Sequence, residues 1–179
     1  MTRSGPSSDA SETSTAPPAL AVVRVTGPSD AGKTTLVERL IAELSDDLTV
    51  GTVKSIHHEI EPDTPGTDTH RHRTAGAASV VGITPTLSFE LSPIGDGSDA
   101  EHADAVKRDA LYATLRRFAD RGYDLVLLEG FSGTPFPTVR FGESAGPDSS
   151  EDVIATGDER FSRILAAVRG VEPMPLDDA

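Results

Sequence analysis

Gly27-Pro28-Ser29-Asp30-Ala31-Gly32-Lys33-Thr34 decides the fold, because this octet meets G-x-x-x-x-G-K-[S/T] at every fixed position. Glycines let the backbone curl until its N–H groups face inward at phosphate oxygens. The N-terminus of a following helix adds the positive end of its dipole. Lys33 is expected to place its ammonium on β- and γ-phosphates, and the Thr34 hydroxyl to ligate Mg²⁺. With this chain's Gly, Lys and Ser/Thr content, the pattern arises by chance in about 1 of 200 chains. Asp30 runs against the chemistry, since a carboxylate in an anion-binding loop repels phosphate unless it points outward.

The flanks fit the same reading. Leu20 to Thr26 (LAVVRVT) is a short β-branched run, read as a buried strand. From Lys33 onward Leu36, Val37, Leu40, Ile41 and Leu44 recur at helical spacing. Thr49 to Lys54 reads as a second strand and Ile56 to Asp68 as a polar segment. Thr69 to Ala77 reads as a short helix, followed by strand candidates near Ser79–Ile83 and Thr86–Leu91. Pro93 to Asp99 is an acidic loop, Asp104 to Arg121 a helix and Asp124 to Leu128 an apolar strand. Gly142 to Ser150 is a loop, Val153 to Thr156 a strand, and Phe161, Ile164, Leu165 and Val168 mark a last amphipathic helix. Strands alternating with helices imply one α/β domain, a mostly parallel sheet with helices on both faces. Sites in such sheets lie at the carboxyl ends of the strands. The domain is expected over 19–172, between a disordered tail at 1–18 and a C-terminal tail at 173–179.

Charge and composition exclude several classes. The 179-residue chain has 29 acidic against 16 basic residues, a formal net charge of -13, and no Cys. A Cys nucleophile, a thiolate metal site and disulfides are therefore excluded. Only Lys33, Lys54 and Lys107 are lysines. So acidic and Lys-poor a surface argues against nucleic-acid binding and suits a salt-adapted protein, in which salt screens carboxylate repulsion. No apolar run approaches the ~18 residues of a membrane span. Residues 1–18, rich in Ser, Thr, Ala and Pro, have no signal-peptide h-region. A cytoplasmic location is expected.

Two further constellations stand out. Leu125-Val126-Leu127-Leu128-Glu129 is an apolar strand closing on a carboxylate, the arrangement that holds Mg²⁺ or positions water opposite a phosphate loop. Asp124, at the far end, reads as a surface or capping residue. The middle of the chain concentrates cations and histidines: Lys54, His57 and His58, then Asp68, His70, Arg71, His72 and Arg73. A metal site suits them poorly, because His70 and His72 would leave a helix on different faces. An anion pocket of Lys54, His57, His58, Arg71 and Arg73 is the favoured reading, and a solvated loop the plain one.

Taken together, these residues resemble the molybdopterin-guanine dinucleotide biosynthesis protein B (MobB) family. The resemblance runs from about Leu20 to Arg140. It rests on the loop with Thr35-Leu36, Val53-Lys54, His57-His58, Pro65-Gly66, Asp68, Arg71-His72-Arg73, Ala75-Gly76-Ala77, Leu127-Leu128-Glu129-Gly130-Phe131 and Pro135-Phe136-Pro137. It implies a homodimeric GTP-binding protein with at most weak Mg²⁺-dependent hydrolysis. Such a protein works beside the molybdenum cofactor guanylyltransferase that attaches GMP to molybdopterin. The nucleotide would be held by Gly27 to Thr35, Lys54, His57 and His58, with Asp68 and Arg71 in the nucleotide or pterin neighbourhood. Lys33 and Glu129 would be the catalytic groups, and Thr34 with Glu129 the metal ligands. The chain departs from the family pattern at Ser55, Thr67 and Asp30-Ala31. No N-K-x-D motif reads guanine, so that preference comes from the resemblance, and Thr156-Gly157-Asp158 is the candidate acidic acceptor. A small-molecule kinase and a nucleotide-dependent adaptor without hydrolysis are the alternative readings of the same loop.

Overall fold

The computed structural model describes residues 19–95, 100–142 and 152–176, the side chains of Ala100 and Glu101 excepted. The elements are β1 (Ala19–Thr26), α1 (Lys33–Leu44), β2 (Val50–Lys54), α2 (Asp68–Thr74), β3 (Val80–Ile83) and β4 (Ser88–Leu91). There follow α3 (Ala100–Asp120), β5 (Leu125–Glu129), β6 (Thr138–Arg140), β7 (Val153–Thr156), α4 (Phe161–Arg169) and β8 (Met174–Pro175).

Burial on both faces is what makes β1 and β5 nearly continuous apolar runs. Alternate residues of β1 point to opposite sides. Val23 and Val25 join Leu36, Val37 and Leu40 of α1 and Ile164 and Val168 of α4. Leu20 and Val22 meet Leu111 and Leu115 of α3. The main sheet has the order β2-β5-β1-β6-β7 with every pair parallel, and β8 adds an antiparallel pairing to the start of β1. The expected α/β architecture is thus observed, and Asp124 caps as expected: its carboxylate accepts the Thr49 N–H at 2.7 Å.

Differences are local. β6 has three residues between Pro137 and Gly142, too short to show a period. The expected tail at 173–179 instead contributes β8, and Leu176 is buried in the α3-side core. α3 begins at Ala100, ahead of the expected Asp104. The strand candidates near Val80 and Leu87 pair with each other as an antiparallel hairpin off the main sheet. The expected tail at 1–18 and most of the expected loop at 142–150 lie outside the described residues.

Arg24, in the middle of β1, is fully buried. Its Nε donates to Thr138 Oγ1 and one terminal NH donates to the Phe131 carbonyl, both at 3.0 Å. Gly130 and Phe131 have φ of 89° and 57°, a left-handed pair that turns the chain directly after Glu129. Arg24 therefore clamps the turn that fixes the end of β5.

Candidate functional site

Strand register assembles the site. Lys54 stands opposite Glu129 across the β2–β5 pair, and Glu129 stands opposite Val25 across the β5–β1 pair. The three residues lie in one row at the carboxyl end of the sheet, ~4.8 Å between strands. Val25 belongs to the core under α1, so Glu129 and Lys54 emerge on the side where α1 begins. Glu129 receives the Thr34 hydroxyl at 3.1 Å to both carboxylate oxygens, and Lys54 Nζ lies 3.0 Å from Oε1.

The 27–34 loop connects β1 to α1 with φ of 139° at Gly27, 58° at Asp30 and 94° at Gly32. Gly32 is the N-cap residue of α1 and no side chain caps the helix, so its first amides stay available to an anion. Asp30 is explained by its backbone: Asp is among the few residues besides Gly that accept the left-handed region cheaply. Its side chain remains exposed on the rim. The Lys33 ammonium folds back onto the Pro28 carbonyl. Around these groups is a cavity of about 570 Å³ lined by Gly27, Ser29, Asp30, Gly32 to Thr35, Lys54, Ser55, His57 and Glu129, among others.

The donor set suits magnesium. One hydroxyl and one carboxylate are hard oxygen ligands, and Mg²⁺ usually keeps several waters and substrate phosphates for its other positions. Among the described residues no cluster of three or more His, Asp or Glu side chains forms an all-protein cage. A Mg²⁺ held by Thr34 and Glu129 would neutralise charge on the phosphate oxygens. Glu129→Gln is accordingly expected to weaken Mg²⁺-dependent nucleotide binding about tenfold and leave metal-free binding unchanged. Titrations with and without EDTA read this, and equal losses in both would refute the metal role.

The middle segment divides. His57 lines the cavity at the 27–34 loop, whereas His58 does not. Asp68 and Arg71 pair at 3.5 Å and line a separate hollow with His72 and Thr74. Arg73 pairs with Glu61, whose carboxyl is held below the ordinary carboxylate range by the Asp63 N–H and by Arg73. Lys54 and His57 are thus the two members of the expected five-residue anion pocket that stand at the loop.

One functional placement escaped the sequence reading. Lys107, in mid-helix, donates to Ser55 Oγ and to the Ile56 carbonyl, both at 3.0 Å, and so ties α3 to the segment after β2. All three lysines of the chain therefore serve the same end of the sheet. Their rarity was the available signal.

On the other side of the loop is a second hollow of about 680 Å³, lined by Pro28, Ala31, Arg140, Phe141, Gly142, Thr156, Gly157 and Asp158. A Cβ on Gly157 would come within 2.3 Å of the Phe141 ring, so only glycine lets that ring lie there. Asp158 Oδ1 accepts the Thr156 hydroxyl at 2.6 Å. That bond and a backbone N–H hold the carboxyl below its ordinary range, which keeps Asp158 an acceptor.

Residues 22–156 match the family model described as molybdopterin guanine dinucleotide synthesis protein B. The molybdopterin-guanine dinucleotide biosynthesis adapter protein of Haemophilus influenzae is 33% identical over 116 residues, 64% of this chain. That match spans 59% of the Haemophilus protein. The protein of the same name from Escherichia coli K12 is 31% identical over 153 residues, 84% of this chain and 78% of the relative. The crystal structure of Bacillus subtilis MobB superposes with a TM-score of 0.53 at 21% identity, over 84% of this chain and 99% of that one. A crystal structure of molybdopterin-guanine biosynthesis protein B gives 0.55 at 22% identity, over 84% and 97%. These two likenesses concern the fold alone.

Proposed function

The chain belongs to the molybdopterin guanine dinucleotide synthesis protein B family, and from that premise we propose that it is a GTP-binding adapter of molybdenum-cofactor biosynthesis. It works beside the guanylyltransferase that attaches GMP to molybdopterin, and hydrolyses GTP slowly at most. The observation that carries the reading is the meeting of Thr34, Glu129 and Lys54 at the mouth of the 27–34 loop. Lys54, and a Mg²⁺ held by Thr34 and Glu129, would bind and neutralise a triphosphate. Glu129 is the carboxylate that would orient a water, and it is already engaged by Thr34 and Lys54, which favours slow chemistry.

The Phe141–Asp158 hollow supports the choice of guanine. Its ring offers a stacking face, and an ionised carboxylate accepts the imino and amino N–H groups on guanine's edge. Adenine presents a lone pair there and is repelled. Calorimetric titration in molar KCl is expected to show GTP·Mg²⁺ binding at least tenfold more tightly than ATP·Mg²⁺, with the ratio collapsing toward one in Asp158→Ala. An unchanged ratio in that variant would remove Asp158 from the reading, and an ATP preference in the native chain would favour a small kinase. Repeating the titration after dialysis into low salt tests the salt-adapted surface, where loss of the fold is expected.

Homodimerisation is the second part of the proposal, supported by the β3–β4 hairpin. Val80 and Gly82 pair with Leu91 and Phe89 on its inner face, whereas Val81 and Ile83 are 57% and 82% exposed. A two-stranded hairpin off the main sheet, whose outer face sets Val81 and Ile83 beside Glu90 and Ser88, offers its two exposed apolar side chains to a second copy. Ile83→Glu is expected to convert the dimer to a monomer in sedimentation experiments. A dimer of undiminished affinity would exclude this face.

A further inference from the structure

The segment after β2 brings Lys54 and His57 to the cavity at the 27–34 loop, and the residues between them are Ser55 and Ile56. Those two are the residues that Lys107 holds, through Ser55 Oγ and the Ile56 carbonyl, both at 3.0 Å. Lys107 itself does not line that cavity. It stands one helical turn before Leu111 on the same face of α3, the face that Leu111 and Leu115 bury against the sheet. Its ammonium makes both bonds charge-assisted.

Ser55 is fixed on its other sides as well. Its N–H donates to the Glu129 carbonyl at 2.9 Å and so carries the β2–β5 ladder one residue past Lys54. Its Cβ faces Gly130, where an added Cβ would come within 3.0 Å of it. Alternation along the strand turns Lys54 to the α1 side, where it pairs with Glu129, and Ser55 to the α3 side, where it meets Lys107. Beyond Ser55 the ladder stops. Among the described residues Ile56, His57 and His58 make no backbone–backbone hydrogen bond, and the bond from Lys107 is what fixes the Ile56 carbonyl. The path of the chain into His57 therefore depends on a side chain of α3.

We propose that Lys107 is a positioning residue, which holds the chain between Lys54 and His57 so that both cations face the phosphates of the nucleotide. The proposal rests on the nucleotide reading above for what the two side chains meet. Lys107 acts through Ser55 and Ile56 and makes no contact with the ligand. A segment already held in its bound path loses less freedom when the ligand arrives, so removing the tether weakens binding without removing a ligand contact.

Lys107→Met keeps most of the apolar stem and removes the donors. Calorimetry on the full chain is expected to show about a tenfold loss in GTP·Mg²⁺ affinity. A double-mutant cycle with His57→Ala separates positioning from general weakening. In the native chain His57→Ala is expected to cost threefold or more, and in the Lys107→Met chain less than twofold, since an unheld His57 no longer contributes. Lys33→Ala is expected to cost the same factor in both backgrounds. Equal His57→Ala factors in the two backgrounds overturn the proposal, as does a Lys33→Ala factor that falls with Lys107→Met, the mark of general damage. Ser55→Ala leaves the ammonium in place and removes one acceptor. It is expected to show the same non-additivity with His57→Ala at a smaller loss, and it decides the matter where Lys107→Met does not fold. Hydrogen exchange without nucleotide gives a readout independent of GTP. The Ser55 N–H is expected to exchange at least tenfold faster in Lys107→Met, with the Val126 N–H of β5 unchanged. That result in a native chain that binds no GTP would end the nucleotide reading and keep the positioning of Lys54 and His57. Native exchange at Ser55 overturns the positioning whether or not GTP binds.

Discussion

Lys33→Ala is expected to lower GTP·Mg²⁺ affinity about a hundredfold and to abolish any turnover. The magnitude follows from the number of bonds removed. A hydrogen bond to a charged group contributes ~1.5–3 kcal/mol, and an ammonium bridging two phosphates makes at least two at the lower value, together ~3 kcal/mol. At ~1.4 kcal/mol per tenfold this is about two orders of magnitude. The acidic chain has few substitutes, since Lys54 is already engaged with Glu129 and Lys107 with Ser55 and Ile56. Stability should hardly change, because among the described residues the Lys33 ammonium bonds to its own loop, at the Pro28 carbonyl. Lys33→Arg is expected to rescue poorly, as a planar fork does not replace a point charge inside a curled loop. Calorimetry with GTP·Mg²⁺ decides the matter: undiminished affinity in Lys33→Ala would end the nucleotide reading.

The second large effect is on stability. Gly27→Ala is expected to destabilise the fold by at least about 2 kcal/mol, which for a domain of this size lowers Tm by about 4–8 °C. Two causes add. Gly27 has φ of 139°, which L side chains rarely adopt, and a Cβ there would lie 2.6 Å from both the Cβ and the carbonyl oxygen of Phe141. Phe141 cannot retreat cheaply, because its N–H donates to the Thr26 carbonyl at 2.8 Å and so continues the β1–β6 pairing. Gly66→Ala is the control. Its φ of 91° carries similar strain, but nothing stands within 4 Å of the added atom. Thermal melts that fell equally in the two variants would show that the close approach to Phe141 contributes nothing.

Both predictions draw on residues that the sequence already marked, and the reason is physical. A phosphate loop is a local device of eight consecutive residues, so its identity survives without knowledge of the fold. The same holds for β1 and β5, whose burial on two faces writes itself as continuous apolar runs, and for α1 and α4, whose buried residues recur at helical spacing. Strand β6 was not legible: three residues carry no period, and its place depends on Thr138 accepting from the buried Arg24. In the same way β8 is held by pairing with Ala19 and Leu20, which lie at the other end of the chain.

Arg24 shows the limit from the opposite direction. By composition it is a polar interruption of a strand, yet it is wholly buried, because the Thr138 hydroxyl and the Phe131 carbonyl wait for it. The histidine-rich segment shows it again. The sequence grouped Lys54, His57, His58, Arg71 and Arg73 there, and the fold takes Lys54 and His57 to the loop, Arg71 to another hollow and Arg73 to Glu61. Lys107, which the sequence marked only by the scarcity of lysine, binds the segment after β2.

What the sequence determined by itself was the loop, the order and type of the long elements, the excess of acid and the scarcity of lysine. All of these are properties of neighbouring residues or of bulk composition. Tertiary structure alone decided which cations meet, which carboxylate faces Thr34 and where the hollows lie. Thr34 and Glu129 are 95 residues apart in the chain. The register that aligns Lys54, Glu129 and Val25 is set by packing on both faces of the sheet, because a shift of one residue would turn every side chain to the opposite face.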